Sequence, residues 1–182
     1  MAKICTNEKA AARQRWIENG LMVLMQEQRF EEITVTELCR YLHLSRRSFY
    51  RYFGSIEDVL ESLLDHTFQE MAITDSPMTV AQLENYYEFW RGRKELLDAL
   101  ANSGMTTKIV HYALKYADEV TLQRHLAPDD LDARRSKELN LFIVSGLSSL
   151  LIGWHSEDFR KPPGEMAKTA YRMLYEPLLT KK

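Results

Sequence analysis

The chain has 182 residues, enough for one large domain or two small ones sharing a core. Its formal net charge of −2 is nearly neutral, which excludes a uniformly basic nucleic-acid-coating protein. Two cysteines, Cys5 and Cys39, are too few for a disulfide framework. That cysteine usage makes a reducing cytoplasm the expectation, and the N-terminus is polar without the continuous apolar segment of a secretory signal.

Charge is unevenly spread. Residues 1–54 carry nine Lys/Arg against six Asp/Glu, whereas residues 55–182 carry fifteen against twenty. The sign is that of a basic N-terminal end facing phosphate. Residues 1–8 read as a loose arm with Lys3 in it and Lys9 just beyond. From residue 9 to about 28, Arg13, Trp16, Ile17, Gly20, Leu21, Leu24 and Met25 recur at steps of three and four, predicting a helix with one core stripe. Phe30 and Ile33 then close that core under the link to Thr34.

The stretch 34–53, TVTELCRYLHLSRRSFYRYF, predicts two short helices joined by a tight turn. Thr34 is a good N-cap with Glu37 three residues on, and Val35, Leu38, Cys39 and Leu42 share one face. The second helix starts at Ser45, again a capping type, and is expected to continue to Phe53. Leu44, Phe49 and Phe53 face inward together, leaving Arg46, Arg47, Ser48, Tyr50 and Arg51 outward. A short helix offering guanidinium, hydroxyl and phenol groups suits a DNA major groove, where arginine pairs bidentately with guanine and hydroxyls or amides hold phosphate. The same residues also fit a solvated helix pair in an ordinary bundle; the ordered features favour a helix-turn-helix.

Those ordered features resemble the DNA-binding domain of the TetR (tetracycline-repressor-like) family: a Thr-initiated helix, a tight turn ending in Ser (His43-Leu44-Ser45), a helix ending Tyr50-Arg51-Tyr52-Phe53, a polar link Gly54-Ser55, and an acidic helix Ile56-Glu57-Asp58-Val59-Leu60. The resemblance covers roughly residues 10–70. It implies base contacts from Arg46, Arg47, Ser48 and Tyr50, with Thr34, Thr36, Arg51 and Tyr52 mainly positioning the backbone and Ser45 also in the DNA-binding set. Three residues depart from the pattern. His43 stands where a turn glycine is common, Ile56 where a phosphate-contacting lysine is usual, and Arg47 where a small residue is usual.

Residues 55–73 predict an amphipathic helix with Ile56, Val59, Leu60, Leu63, Leu64, Phe68 and Met71 inward, and 74–77 break it. Beyond lie an expected single helix over 79–102, another over about 105–126, one starting at 128–130 and running to about His155, and a last over about 163–179. No strand signal or internal repeat is present, so the expected fold is all-α. The expected division is a helix-turn-helix domain over 1–54, a connecting helix over 55–73, and a ligand-binding and dimerisation domain over 74–182. The stretch 139–155 has no Asp, Glu, Lys or Arg but is shorter than a membrane span and carries Asn140, Ser145, Ser148 and Ser149, so a helix buried in a protein or dimer is expected and no membrane.

The resemblance further implies a homodimer on a palindromic double-stranded operator and an unidentified small-molecule effector. Phe142, Gly146, Ser149, Leu150 and Gly153, with Met173 and Leu174, are the interface candidates. Tyr86, Phe89, Trp90, Met105, His111, Tyr112, Tyr116 and Trp154 are the effector-site candidates, although aromatics at helical spacing also serve as plain core. The segment 89–104, FWRGRKELLDALANSG, resembles TetR-like regulators of the dihydroxyacetone-kinase group, some of which act through a protein partner. A dimeric interaction protein with weak or lost DNA binding is therefore the alternative reading. The five histidines show no metal spacing, and neither a Gly-rich phosphate loop nor a nucleophile elbow occurs, so no catalysis, metal or cofactor is expected.

Overall fold

A computed structural model describes residues 8–71, 79–119 and 133–179. The described residues hold nine α-helices and no strand, so the chain is all-α as its periodicity implies. The loose arm with Cys5, the break at 74–77, the end of the 105–126 helix and the helix start at 128–130 lie outside the described residues.

The described residues group into two compact units. The first falls within Met1–Glu70 and Glu95–Met105. Its helices are α1 (Glu8–Glu27), α2 (Val35–Tyr41), α3 (Arg46–Phe49), α4 (Ile56–Glu70) and most of α6 (Lys94–Asn102). Helix α1 buries Ile17, Leu21, Leu24 and Met25, but Arg13 and Trp16 are exposed, with the Arg13 guanidinium 4.7 Å from the Trp16 ring. The stripe is therefore rotated from the expected one. Gln14 and Glu18 take the buried places instead, because Glu18 accepts a 2.6 Å hydrogen bond from Ser62 Oγ and lies 3.0 Å from His66 Nδ1 on α4. A buried carboxylate needs such partners. Gly20 lets α1 approach α2 closely: a Cβ there would sit 2.6 Å from Leu42 Cδ2.

Helix α6 joins this unit by two bonds. Gln26 Nε2 donates to the Glu95 carbonyl at 2.6 Å, and the buried Ser103 Oγ accepts from the Phe30 amide at 3.0 Å. The helix expected over 79–102 is thus two: α5 (Val80–Arg91) ends before α6 begins. The reason is local. Arg93 N–H turns to the Trp90 carbonyl, an i→i−3 bond that tightens the last turn at Gly92, a residue of low helix propensity.

The second unit falls within Met71–Lys94 and Thr106–Lys182, and contains α5, α7 (Thr107–Glu119), α8 (Ala133–Ser156) and α9 (Pro163–Leu179). Helix α5 packs against α9, and α7 against α8. Thr79 and Gln82 form a reciprocal capping box that starts α5. The chain leaves α8 through Asp158 and Phe159, both left-handed at φ 52° and 54°. Phe159 is held edge-on against Trp154 at 4.5 Å, and the Trp154 indole N–H donates to the Lys161 carbonyl at 2.9 Å. Within α8, the segment Lys137–Ser156 is long and apolar enough to cross a membrane by length and composition alone. Ile143, Leu147 and Leu151 bury one side of it in this unit.

Candidate nucleic-acid interface

The first unit builds a rigid support for a very short helix. Thr34 caps α2, its Oγ1 accepting from the Glu37 amide at 3.2 Å. Helix α2 then ends in a turn at His43, which has φ 49°. The His43 amide donates to the Arg40 carbonyl at 3.2 Å and the Leu44 amide to the Cys39 carbonyl at 2.8 Å, so the carbonyls at the end of the helix are satisfied. Histidine in this conformation costs about 1 kcal/mol relative to glycine. Ser45 caps α3, its Oγ accepting from the Ser48 amide at 3.1 Å and donating to Ser48 Oγ at 2.8 Å.

Helix α3 proper is only Arg46–Phe49, shorter than the expected run to Phe53. After it, Arg51 N–H donates to the Ser48 carbonyl and Tyr52 N–H to the Phe49 carbonyl, both i→i−3, and the segment continues as tightened turns. Phe49 and Phe53 anchor the inner side, fully buried and 6.1 Å apart between ring centroids. Burying two such rings fixes which side of α3 faces out.

Arg46, Arg47, Tyr50 and Arg51 are exposed, while Ser48 and Tyr52 are half-buried. Arg46 Nη2 donates to Tyr50 Oη at 3.4 Å, and its guanidinium lies 5.9 Å from the Tyr50 ring. Arg51 lies similarly over Tyr52, at 5.8 Å. Arg47 has no hydrogen bond or ion pair among the described residues. Thr34 and Thr36 are exposed at the start of α2. All nine residues assigned to this surface from the sequence therefore lie in the α2–turn–α3 segment. Cys39 sits behind it; burial pushes its thiol up from the ordinary value, with nearby Arg46 opposing.

The start of α4 is different. Ile56 is buried, 5% exposed. The Gly54 amide donates to Asp58 Oδ2 at 2.9 Å and the Asp58 amide to Ser55 Oγ at 3.1 Å, so these two amides are engaged within the chain.

In the second unit, Trp90, Tyr112, Tyr116 and Trp154 are buried and Tyr86 and Phe89 half-buried, whereas His111 is exposed on α7. Met105 groups with the first unit, apart from the other seven effector-site candidates. Tyr87, which is not among the sequence's effector-site candidates, is fully buried between Tyr86 and Trp154 at centroid distances of 5.1 and 5.3 Å. Two adjacent tyrosines on a helix look alike in sequence, and only their packing separates them. Of the interface candidates, Phe142 is 72% and Met173 59% exposed; Gly146, Ser149 and Gly153 are exposed, and Leu150 and Leu174 half-buried.

Residues 10–63 match the sequence model described as bacterial regulatory proteins, tetR family. Solved structures share the fold, among them the following three. The dihydroxyacetone kinase operon activator DhaS is 13% identical with a TM-score of 0.65, over 91% of this chain and 96% of that one. A tetR-family transcriptional regulator from Streptomyces coelicolor is 17% identical with a TM-score of 0.63, over 90% of this chain and 79% of that one. The fatty acid degradation regulator FadR from Bacillus halodurans is 14% identical with a TM-score of 0.57, over 94% of this chain and 96% of that one. No curated protein matches the chain in sequence.

Proposed function

We propose that the chain, whose residues 10–63 match the tetR family model, is a TetR-family transcriptional regulator that acts as a cytoplasmic homodimeric repressor, released from an operator by a small-molecule effector. The observation that carries the DNA-reading part is the Ser45-capped α3, pinned from behind by Phe49 and Phe53 and presenting Arg46, Arg47 and Tyr50 outward with Ser48 half-buried beside them. Arg47, with no internal partner among the described residues, is available to a guanine edge. Thr34, Thr36, Arg51 and Tyr52 supply phosphate contacts that fix the register, and the N-termini of α2 and α3 add their outward amides.

Two such readers are needed for a palindromic site with half-sites about 34–36 Å apart. The exposed Leu141 and Phe142 on α8, which also carries the exposed Gly146 and Gly153, and the exposed Met173 on α9 supply apolar surface on which a second copy can close. At the glycines an added Cβ would meet nothing within 4 Å, so α8 is open there in the single chain. The effector, bound in the second unit, would favour a dimer geometry whose two α3 helices no longer match adjacent major grooves.

One observation favours a second reading. Ile56 replaces a phosphate-contacting lysine with a core residue, and the Gly54 and Asp58 amides beside it are already engaged. A weaker hold on the DNA backbone suits a regulator that works chiefly through a protein partner. Binding to the duplex upstream of the protein's own gene, against scrambled duplex over a salt series, separates the two. Tight, salt-dependent binding to the upstream duplex alone supports the repressor; equal weak binding to both contradicts autoregulation there and favours the partner reading.

A further inference from the structure

The second unit keeps its buried polar groups few. Among its described residues the buried polar side chains are Asn140 and Ser148, together with the tips of Tyr87, Trp90, Tyr112, Tyr116 and Trp154, and no charged side chain is buried there. Two of these groups have hydrogen bonds within the unit. The Trp154 indole N–H donates to Lys161, and Tyr86 shares a hydrogen bond with Ser148. The Tyr87 hydroxyl has no such partner among the described residues, although the residue is 0% exposed and its hydroxyl oxygen is buried. Burial pushes its phenol above the ordinary tyrosine value, with no hydrogen bond opposing the shift, in contrast to Tyr86. Folded proteins rarely leave a buried hydroxyl unsatisfied, and a group left so in a native interior calls for an explanation.

We propose that the Tyr87 hydroxyl is the polar anchor of the effector site, donating its hydrogen bond to the oxygen of a small uncharged carbonyl compound with an apolar body. The assignment rests on the effector-responsive reading above. The donor is a phenol O–H, so the matching ligand atom is an acceptor, for which a carbonyl oxygen is the compact choice. The surroundings set the rest. Tyr86 and Trp154 stand edge-on to the Tyr87 ring, Trp90 is buried one turn along α5, and an apolar ligand body suits them. A carboxylate or ammonium would enter an interior with no buried counter-charge among the described residues and would lose its hydration without replacement. His111, exposed on α7, supplies no such charge from within.

The test is thermal unfolding of the full-length protein and of Tyr87→Phe with matched probes: acetophenone, ethylbenzene and benzoate share one apolar body, and 2-heptanone and heptanoate offer an aliphatic counterpart. The proposal expects at least one ketone to raise the melting temperature of the natural protein, with the hydrocarbon and the carboxylates giving little or none. Tyr87→Phe without probe should melt at the same temperature or higher, since only an unsatisfied group is removed. Its apparent affinity for the effective ketone should fall by about tenfold. A lower melting temperature for unliganded Tyr87→Phe would show that the hydroxyl already has an internal partner and overturn the proposal. So would an equal ketone response in both proteins, an equal response to the carboxylate, or no response to either ketone. DNA binding by both proteins without probe is measured alongside. Retained binding with a failed probe response removes the anchor and leaves the regulator reading standing, whereas absent DNA binding counts against the regulator reading itself.

Discussion

Arg46 and Arg47 are neighbours on α3 but differ in freedom. Arg46 is committed to Tyr50 through a 3.4 Å hydrogen bond and ring contact, whereas Arg47 has no partner among the described residues. Arg47→Ala should therefore cost about 1–3 kcal/mol on operator DNA and much less on random DNA, as read from paired binding titrations; equal loss on both would make Arg47 a phosphate contact. Cys39 gives a pH-dependent prediction. Burial raises its thiol, so in the folded protein it stays protonated and unreactive at pH 8, while the unfolded chain ionises nearer its ordinary value. The neutral thiol thus favours the fold fully below the unfolded value, and that contribution is lost as pH rises from there through the raised folded value. In a Cys5→Ser background, iodoacetamide at pH 8 should label Cys39 slowly in buffer and rapidly in denaturant; equal rates would contradict the burial. At this scale the surface residues of α3 were legible, because one buried Phe49 and one buried Phe53 fix the facing of everything between them. Tyr87 and His111 were not. Which of Tyr86 and Tyr87 is fully buried, and whether His111 turns in or out, is decided by packing partners that lie far along the chain.

Helix starts and stops were readable where a side chain performs the cap. Thr34, Ser45 and Thr79 each accept a backbone N–H as their residue type allows. Boundaries set by backbone alone were harder. The i→i−3 bonds that close α5 at Gly92 and shorten α3 after Phe49 leave little trace in hydrophobic spacing, so a single long helix and a longer α3 were expected. The rotated stripe of α1 has another cause: Glu18 is buried because Ser62 and His66 meet it, and a carboxylate on the core face runs against any apolar pattern. The turn between α2 and α3 offers a stability test. His43 is left-handed at φ 49°, so His43→Gly should raise stability by about 1 kcal/mol, seen as a higher urea midpoint at unchanged slope. A lower midpoint would show that the imidazole stabilises the turn by more than its backbone costs.

For the whole molecule, the all-α architecture followed from periodicity and the missing strand signals. That α6 groups with the helix-turn-helix unit did not, because its two bonds, Gln26 to Glu95 and Phe30 to Ser103, link residues some seventy positions apart. Sequence spacing carries no record of such pairings. The exposed apolar surface on α8 and α9 belongs to this scale too. If a second copy covers Phe142, Phe142→Glu should move the protein from dimer to monomer in sedimentation equilibrium and abolish symmetric DNA protection. A dimer unchanged by the substitution would place the interface elsewhere. The central claim, a dimer reading two half-sites through α3, is tested most directly by selecting duplexes from a random-sequence library with the purified protein. The expected result is an enriched two-fold symmetric motif whose half-sites lie about one helical turn apart and whose selection is lost with Arg47→Ala. Retention of duplexes without any enriched motif, or no retention at moderate salt, would contradict it.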